Sequence, residues 1–267
     1  MLKDVTLGQY FPGQTPIHKL DPRTKLIFVL LYIIVLFLAK WFVSYLLVAV
    51  FLGLVIWISK IHLSVILKGL KPLLLIIVLT AVLNLFYSSG EPLVEFWIFR
   101  ITKAGIFNAI FMVLRITLLV AGTFMLTYTT SPIALTDGLE SLLSPLKKIR
   151  LPVHELAMMM CIALRFIPTL IEETEKIMSA QKARGADFES GSLLTRAKAL
   201  VPILVPLFIS AFRRADELAT AMECRCYHGG EGRTRLHQLR YAKRDYIAFA
   251  SGAAFLAAML VLRHFGL

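Results

Sequence analysis

The chain has 267 residues, 58% of them hydrophobic, with a mean hydropathy of +0.74. A soluble domain is nearer half apolar, so the composition argues against an ordinary globular enzyme and for a membrane protein. The net charge of +12 and pI of about 9.8 fit the basic cytoplasmic loops of such a protein, and nucleic acid is not needed as a partner to explain them.

Residues 1–25 are polar and turn-rich, with Pro12-Gly13, Pro16 and Asp21-Pro22 as breakers. The first apolar run begins at Leu26 and lacks a small-residue cleavage pattern, so no cleavable signal peptide is expected. The run reaches Ile58, broken only by Lys40. That length suits two short spans hinged near Lys40-Trp41, with one long tilted helix as the competing reading. Lys68, Lys71 and Pro72 puncture the next run, placing its spanning part from about Leu73 to Tyr87. Ser88–Arg100, with Gly90-Glu91-Pro92, reads as a loop. Ala104–Tyr128 spans again with Arg115 at its middle, and Tyr246–Leu262 is the last span.

Loop charge sets the expected topology. Lys3, Lys19, Arg23 and Lys25 precede the first span, Lys60, Lys68 and Lys71 separate the second from the third, and 129–244 is rich in Lys and Arg. Five spans with the N-terminus inside put every basic-rich loop in the cytoplasm. The expected protein is all-α: a cytoplasmic segment 1–25, four transmembrane helices within 26–128, a coupling-helix region 129–244 and a C-terminal span within 245–267, together an L-shaped scaffold. The three cysteines, Cys161, Cys224 and Cys226, all fall in the cytoplasmic part and form no disulfide framework.

Region 129–244 contains an internal repeat. Its apolar stretches Leu156–Leu164 and Leu200–Phe212 are too short or too broken by Pro202 and Pro206 to read as spans, and fit amphipathic helices instead. Pro168 is expected to kink the first; Ser190 or Ser192 to cap the second; Gly185 and Gly191 to bracket the turn of an antiparallel pair. Sliding one helix onto the other aligns Glu175 with Asp216, Ala180 with Ala221, Lys182 with Glu223 and Arg184 with Arg225. Each helix carries an apolar face and ends in an arginine-centred tripeptide: Ala183-Arg184-Gly185 and Cys224-Arg225-Cys226.

Two readings of the arginines stand side by side. An arginine near a helix C-terminus complements the macrodipole, worth about 0.3–1 kcal/mol. Duplication in matched contexts favours paired docking, for which a guanidinium that forks onto a carboxylate is suited. Cys224, Cys226 and His228 lack the second ligand pair that a tetrahedral metal site needs, so no metal and no cofactor are expected. Arg115 reads as structural, facing protein rather than lipid. No Gly-rich phosphate loop or intramembrane carboxylate relay occurs, and the histidines are scattered, so no catalytic residue is expected. The methionines Met158, Met159 and Met160, with Met178 and Met222, offer a soft face suited to exchangeable partners.

Tyr10-Phe11-Pro12-Gly13, then His18 to Lys25 before the first span, and in the later segment Thr129-Thr130-Ser131-Pro132, Pro152 to Leu156, Arg165 to Leu170, Ala180 to Gly185 and Ala215 to Ala219 carry a resemblance over almost the whole chain. They are similar to the transmembrane components of energy-coupling factor transporters, the CbiQ-like EcfT family, in the form shared among several substrate-binding proteins. The family's two Ala-Arg-Gly-type motifs fall on 183–185 and 224–226, the second with Cys224 and Cys226 where Ala and Gly are usual. The resemblance implies a non-catalytic scaffold in the cell membrane that docks two ATP-binding-cassette ATPases of the EcfA and EcfA′ types through these motifs. It also implies a membrane-embedded substrate-binding S component held by the coupling helices, and ATP-driven vitamin or micronutrient uptake.

A self-contained secondary transporter would need a polar site and usually internal repeats among its spans, whereas the repeat here lies outside them. A membrane-bound enzyme would need converging His, Asp or Glu near a span end, and His154-Glu155 alone is thin support.

Overall fold

The computed structural model describes residues 10–87, 92–96, 99–188, 190, 192–229 and 238–265. Two compact units emerge, one built from 8–141 with 239–267 and the other from 142–238.

The first unit is a helical bundle. Asp21 caps α1 (Pro22–Leu38), its carboxylate accepting from the Arg23 N–H at 2.9 Å, with Pro22 at the first helical position. The chain breaks at Ala39–Trp41 and resumes as α2 (Phe42–Ser59), so the run around Lys40 is two helices rather than one. After α3 (Leu63–Leu70) and a 3₁₀ turn at Lys71–Leu73, where Pro72 removes a donor, α4 runs over Leu74–Tyr87.

Where a loop was expected, strands β1 (Pro92–Phe96) and β2 (Phe99–Thr102) pair antiparallel, Phe96 opposite Phe99 and Pro92 opposite Thr102. The β-formers Val94, Phe96, Phe99 and Ile101 outweigh the breakers Gly90 and Pro92 that suggested a loop. Gly90 and Glu91 themselves lie outside the described residues. Thr102 then caps α5 (Lys103–Thr129), which leads into α6 (Pro132–Leu143), and α9 (Lys243–His264) completes the bundle.

Tyr32, Val35 and Leu36 of α1, Tyr45 and Val48 of α2, Met125 and Tyr128 of α5, and Phe255 and Met259 of α9 form one buried core. At Gly122 a Cβ would stand 2.3 Å from the Tyr32 ring, so only glycine lets α5 approach α1 this closely. The Tyr32 hydroxyl reaches past it to donate to the Leu118 carbonyl at 2.8 Å. Arg115 is tied to protein: Nε donates to the Tyr45 hydroxyl at 3.0 Å and Nη2 to the Ala39 carbonyl at 3.2 Å. It thereby satisfies the carbonyl freed where α1 stops. The amide of Asn84 turns back onto the Thr80 carbonyl at 2.9 Å.

In the second unit, a 3₁₀ turn at Ser144–Ile149 precedes α7 (Val153–Ala183) and α8 (Leu193–Cys224). Both run uninterrupted through their prolines, Pro168 in α7 and Pro202 and Pro206 in α8. By length and composition, five helical stretches among the described residues can cross a bilayer: α2, the α3–α4 stretch, α5, α7 and α9. Four were expected. The fifth is α7, because its apolar half continues through Pro168, whereas α1, expected as the first span, has 17 helical residues.

Candidate functional site

The two arginine tripeptides sit at the ends of α7 and α8, and their backbones close in the same way. At the end of α7, the Gly185 N–H donates to the Lys182 carbonyl at 3.0 Å and the Ala186 N–H to the Gln181 carbonyl at 3.0 Å. At the end of α8, the Cys226 N–H donates to the Glu223 carbonyl at 2.8 Å and the Tyr227 N–H to the Met222 carbonyl at 3.1 Å. Each is a Schellman closure, with the arginine at the C-cap and the following residue left-handed. Gly185 has φ 89° and Cys226 has φ 58°. Replacing glycine by cysteine therefore leaves the turn in place, at the strain a Cβ meets in that region. Ala183, Arg184 and Gly185 are exposed, as are Cys224, Arg225 and Cys226. Both guanidinium groups thus stand outward, each from a turn that fixes its backbone.

The α7–α8 junction has its own symmetry. Glu173 of α7 accepts from Arg214 Nη2 at 3.0 Å and from the Ser210 hydroxyl. Glu173 and Arg214 are equivalent positions in the repeat that aligns Arg184 with Arg225. Each arginine tip consequently lies eleven residues beyond the junction (173 to 184, 214 to 225), about 16 Å of helix. Contact between equivalent positions of two similar elements is the mark of a local two-fold relation.

Along the rest of these helices few side chains are covered: among the described residues, Val153, Ala157 and Ile203 are the buried hydrophobics of α7 and α8. A row on α8 at helical spacing, Leu200, Leu204, Phe208 and Phe212, stays exposed, Phe212 at 72%. Sequence reading gave this helix an apolar face and assigned the stretch Leu200–Phe212 no role, because periodicity alone cannot tell a covered face from an open one. Met159 and Met160 are exposed, while Met158, Met178 and Met222 are half-buried. Met160 and Met178 are eighteen residues apart on α7, about 27 Å, so α7 does not gather its methionines into one compact patch.

Ser192 takes the cap position before α8, its carbonyl accepting from the Arg196 N–H at 3.0 Å; Gly191 lies outside the described residues. Among the described residues no three His, Cys, Asp or Glu side chains gather as metal ligands, and the His228 ring contacts the Cys226 carbonyl at 2.8 Å.

The other segment singled out in the sequence packs on the end of α5. Phe11 N–H donates to the Tyr128 carbonyl at 3.0 Å, with the two rings edge-on at 5.5 Å. Lys25 Nζ donates to the carbonyls of Thr129 at 2.8 Å and His18 at 3.1 Å. The His18 ring hydrogen-bonds the Thr15 hydroxyl at 2.6 Å. Burial, and then the charge of Lys25, hold the imidazole pKa below its ordinary value. This segment serves the bundle and lies in a different unit from the arginine tips.

A helical bundle with several helices long enough to cross a bilayer defines a multi-pass membrane protein. The chain belongs to the CbiQ family, described as cobalt transport protein, which it matches over residues 13–236. It is 56% identical over 250 residues to the energy-coupling factor transporter transmembrane protein EcfT of Clostridium kluyveri, covering 93% of each chain. The protein of the same name from Thermosediminibacter oceani is 56% identical over 248 residues, 93% of this chain and 94% of that one. That of Bacillus subtilis is 47% identical over 264 residues, 98% of this chain and 100% of that one. The chain is accordingly a transmembrane component of a transporter.

Proposed function

We propose that this chain is the non-catalytic scaffold of an energy-coupling factor importer. Arg184 and Arg225 dock it onto two cytoplasmic ATP-binding-cassette ATPases, and it couples their ATP hydrolysis to vitamin or micronutrient uptake through an exchangeable, membrane-embedded S component. The observation that carries this reading is the pair of matched Schellman ends, set at equal distances from a junction of equivalent residues. Two similar plugs related in this way suit two similar grooves on a pseudo-symmetric ATPase pair. The difference between Ala-Arg-Gly and Cys-Arg-Cys suits two unlike subunits of the EcfA and EcfA′ types.

A forked guanidinium meeting a carboxylate in such a groove anchors strongly, and truncating one partner of a buried charge pair costs about 2–5 kcal/mol. The open apolar row of α8 through Phe208 and Phe212 is where the S component packs, with the exposed Met159 and Met160 supplying adaptable contacts. In this arrangement α7 and α8 are coupling helices and α1 takes its place among the spans. The N-terminus faces the cytoplasm of a bacterial cell, on the side where the basic loops collect.

The test is a membrane pull-down with the tagged chain. The wild type brings down two ATPases. Arg184→Ala or Arg225→Ala weakens the association roughly thirtyfold or more, and Arg→Lys also weakens it because an ammonium cannot fork. Full assembly of the double alanine variant would refute arginine docking.

A further inference from the structure

A cavity of about 450 Å³ opens among α1, α2, α5 and α9. Lys25, Ile58, Thr129 and Arg244 line it from the start of α1, the ends of α2 and α5 and the start of α9, so these four helix ends share one side of the bundle. Tyr32 and Ser251 also line it, each seven residues further along its helix, about 10 Å. The cavity thus reaches inward to a depth comparable with much of one leaflet's hydrocarbon, half of the roughly 30 Å core.

Its polar wall groups are engaged with the protein's own backbone. The Tyr32 hydroxyl donates to the Leu118 carbonyl at 2.8 Å, the Ser251 hydroxyl to Ala248 at 2.7 Å and the Thr129 hydroxyl to Met125 at 2.7 Å. Lys25 donates to two carbonyls at the mouth. A water-soluble ligand would enter this space with its polar groups unmatched, at a cost of a few kcal/mol for each group. A hydrocarbon chain needs no partner there. The mouth differs: no Asp or Glu lines the cavity among the described residues, and the exposed Arg244 guanidinium has neither a hydrogen bond nor an ion pair among them.

We propose that this cavity holds an acyl chain of an anionic phospholipid from the adjoining leaflet, with the lipid head on Arg244 beside Lys25. Apolar depth and cationic mouth together match that one ligand class, and basic pockets between transmembrane helices are suited to anionic heads. The proposal depends on the membrane character of the chain and on no part of the ATPase docking, so either reading survives failure of the other.

The experiment is native mass spectrometry of the purified full-length chain, titrated with phosphatidylglycerol and phosphatidylcholine of identical acyl chains. Wild type retains one phosphatidylglycerol at least about fivefold better than phosphatidylcholine, and Arg244→Gln lowers that ratio about fivefold, the value of roughly one cation near a membrane surface. Ala248→Trp, which fills the cavity, abolishes retention of both lipids, with helicity checked by circular dichroism. On the wild type, the chainless head glycerophosphoglycerol fails to displace the lipid. Equal retention of the two lipids, an unchanged ratio in Arg244→Gln, retention by a folded Ala248→Trp, or displacement by the chainless head would each overturn the proposal.

Discussion

The backbone N–H of Asp21 donates to the carboxylate of Asp245 at 2.9 Å, joining the starts of α1 and α9 across 224 residues of sequence. The other Asp245 oxygen accepts from the Ala242 N–H at 2.8 Å, so one carboxylate caps its own helix and anchors another. Asp21 in turn holds Arg23, with Nε at 3.1 Å and Nη2 at 3.0 Å, and the guanidinium lies 4.2 Å from the centre of the Tyr241 ring. Both carboxylates are buried, Asp245 at 1% exposure. The cluster fixes where the last helix joins the bundle.

Asp245→Ala should therefore destabilise the bundle by about 2 kcal/mol, since it strips the acceptor from the buried Asp21 N–H and from the helix-capping Ala242 N–H. Thermal unfolding of the purified chain in detergent measures this as a Tm several degrees lower. Asp245→Asn keeps one acceptor and should fall between the variant and the wild type. A Tm unchanged in both variants would show that the junction contributes nothing.

His18 predicts a pH dependence. Because burial and Lys25 hold its pKa below the ordinary value, the unfolded chain takes up the imidazole proton more readily than the folded one. The contribution of His18 to stability should accordingly be flat above about pH 6.5, the ordinary histidine value, and decline as pH falls below it. A Cβ at Gly13 would stand 2.8 Å from the ring, so the segment is closely packed around it. Tm followed from pH 7.5 to 5.5 should fall for the wild type and fall less for His18→Gln. Parallel curves would remove His18 as the cause.

Much of the bundle was legible from the sequence because membrane spans announce themselves by length and the breaks fall on visible residues. The interruption at Lys40 and the break at Pro72 were readable as local chemistry, whereas Asp21-Pro22, read as a breaker ahead of a run from Leu26, is where α1 already starts. The hairpin at 92–102 was missed because its β-formers follow directly on a Gly-Glu-Pro breaker. Pro168, expected to kink α7, lies inside a helix that continues from Val153 to Ala183. At the site, the two arginines were visible by alignment of the repeat. Their matched closures were not, since nothing in Cys224-Arg225-Cys226 signals that a cysteine takes up the left-handed φ of 58°. The Glu173–Arg214 pairing needed coordinates, because a repeat in sequence does not say which of its positions meet in space.

The left-handed cysteine gives a signed prediction. Cys226→Gly should relieve backbone strain worth about 1 kcal/mol and raise the stability of the α8 end, whereas Gly185→Ala should introduce similar strain at the α7 end. Arg225 keeps its position in the first variant, so ATPase capture in the pull-down should be retained. Hydrogen exchange at the Tyr227 N–H, which donates to Met222, reports the local effect. Faster exchange in Cys226→Gly would contradict the strain argument.

The equal arms of the arginine tips depend on Glu173 meeting Arg214, and this pair separates a geometric role from a merely stabilising one. The side chains are 22% and 37% exposed, so solvent limits the pair to about 1 kcal/mol or less of stability. Yet if the junction sets the relative placement of two plugs, losing it should cost more in docking than in folding. Glu173→Arg and Arg214→Glu, each creating like charges across the crossing, should reduce ATPase association severalfold while lowering Tm only slightly. The exchanged pair, Glu173→Arg with Arg214→Glu, should restore association towards the wild type because it rebuilds the contact with reversed polarity. A double-mutant cycle on pull-down affinity reads the coupling directly. Purely additive effects, with no recovery in the exchanged pair, would mean that the tips are positioned by something other than this junction.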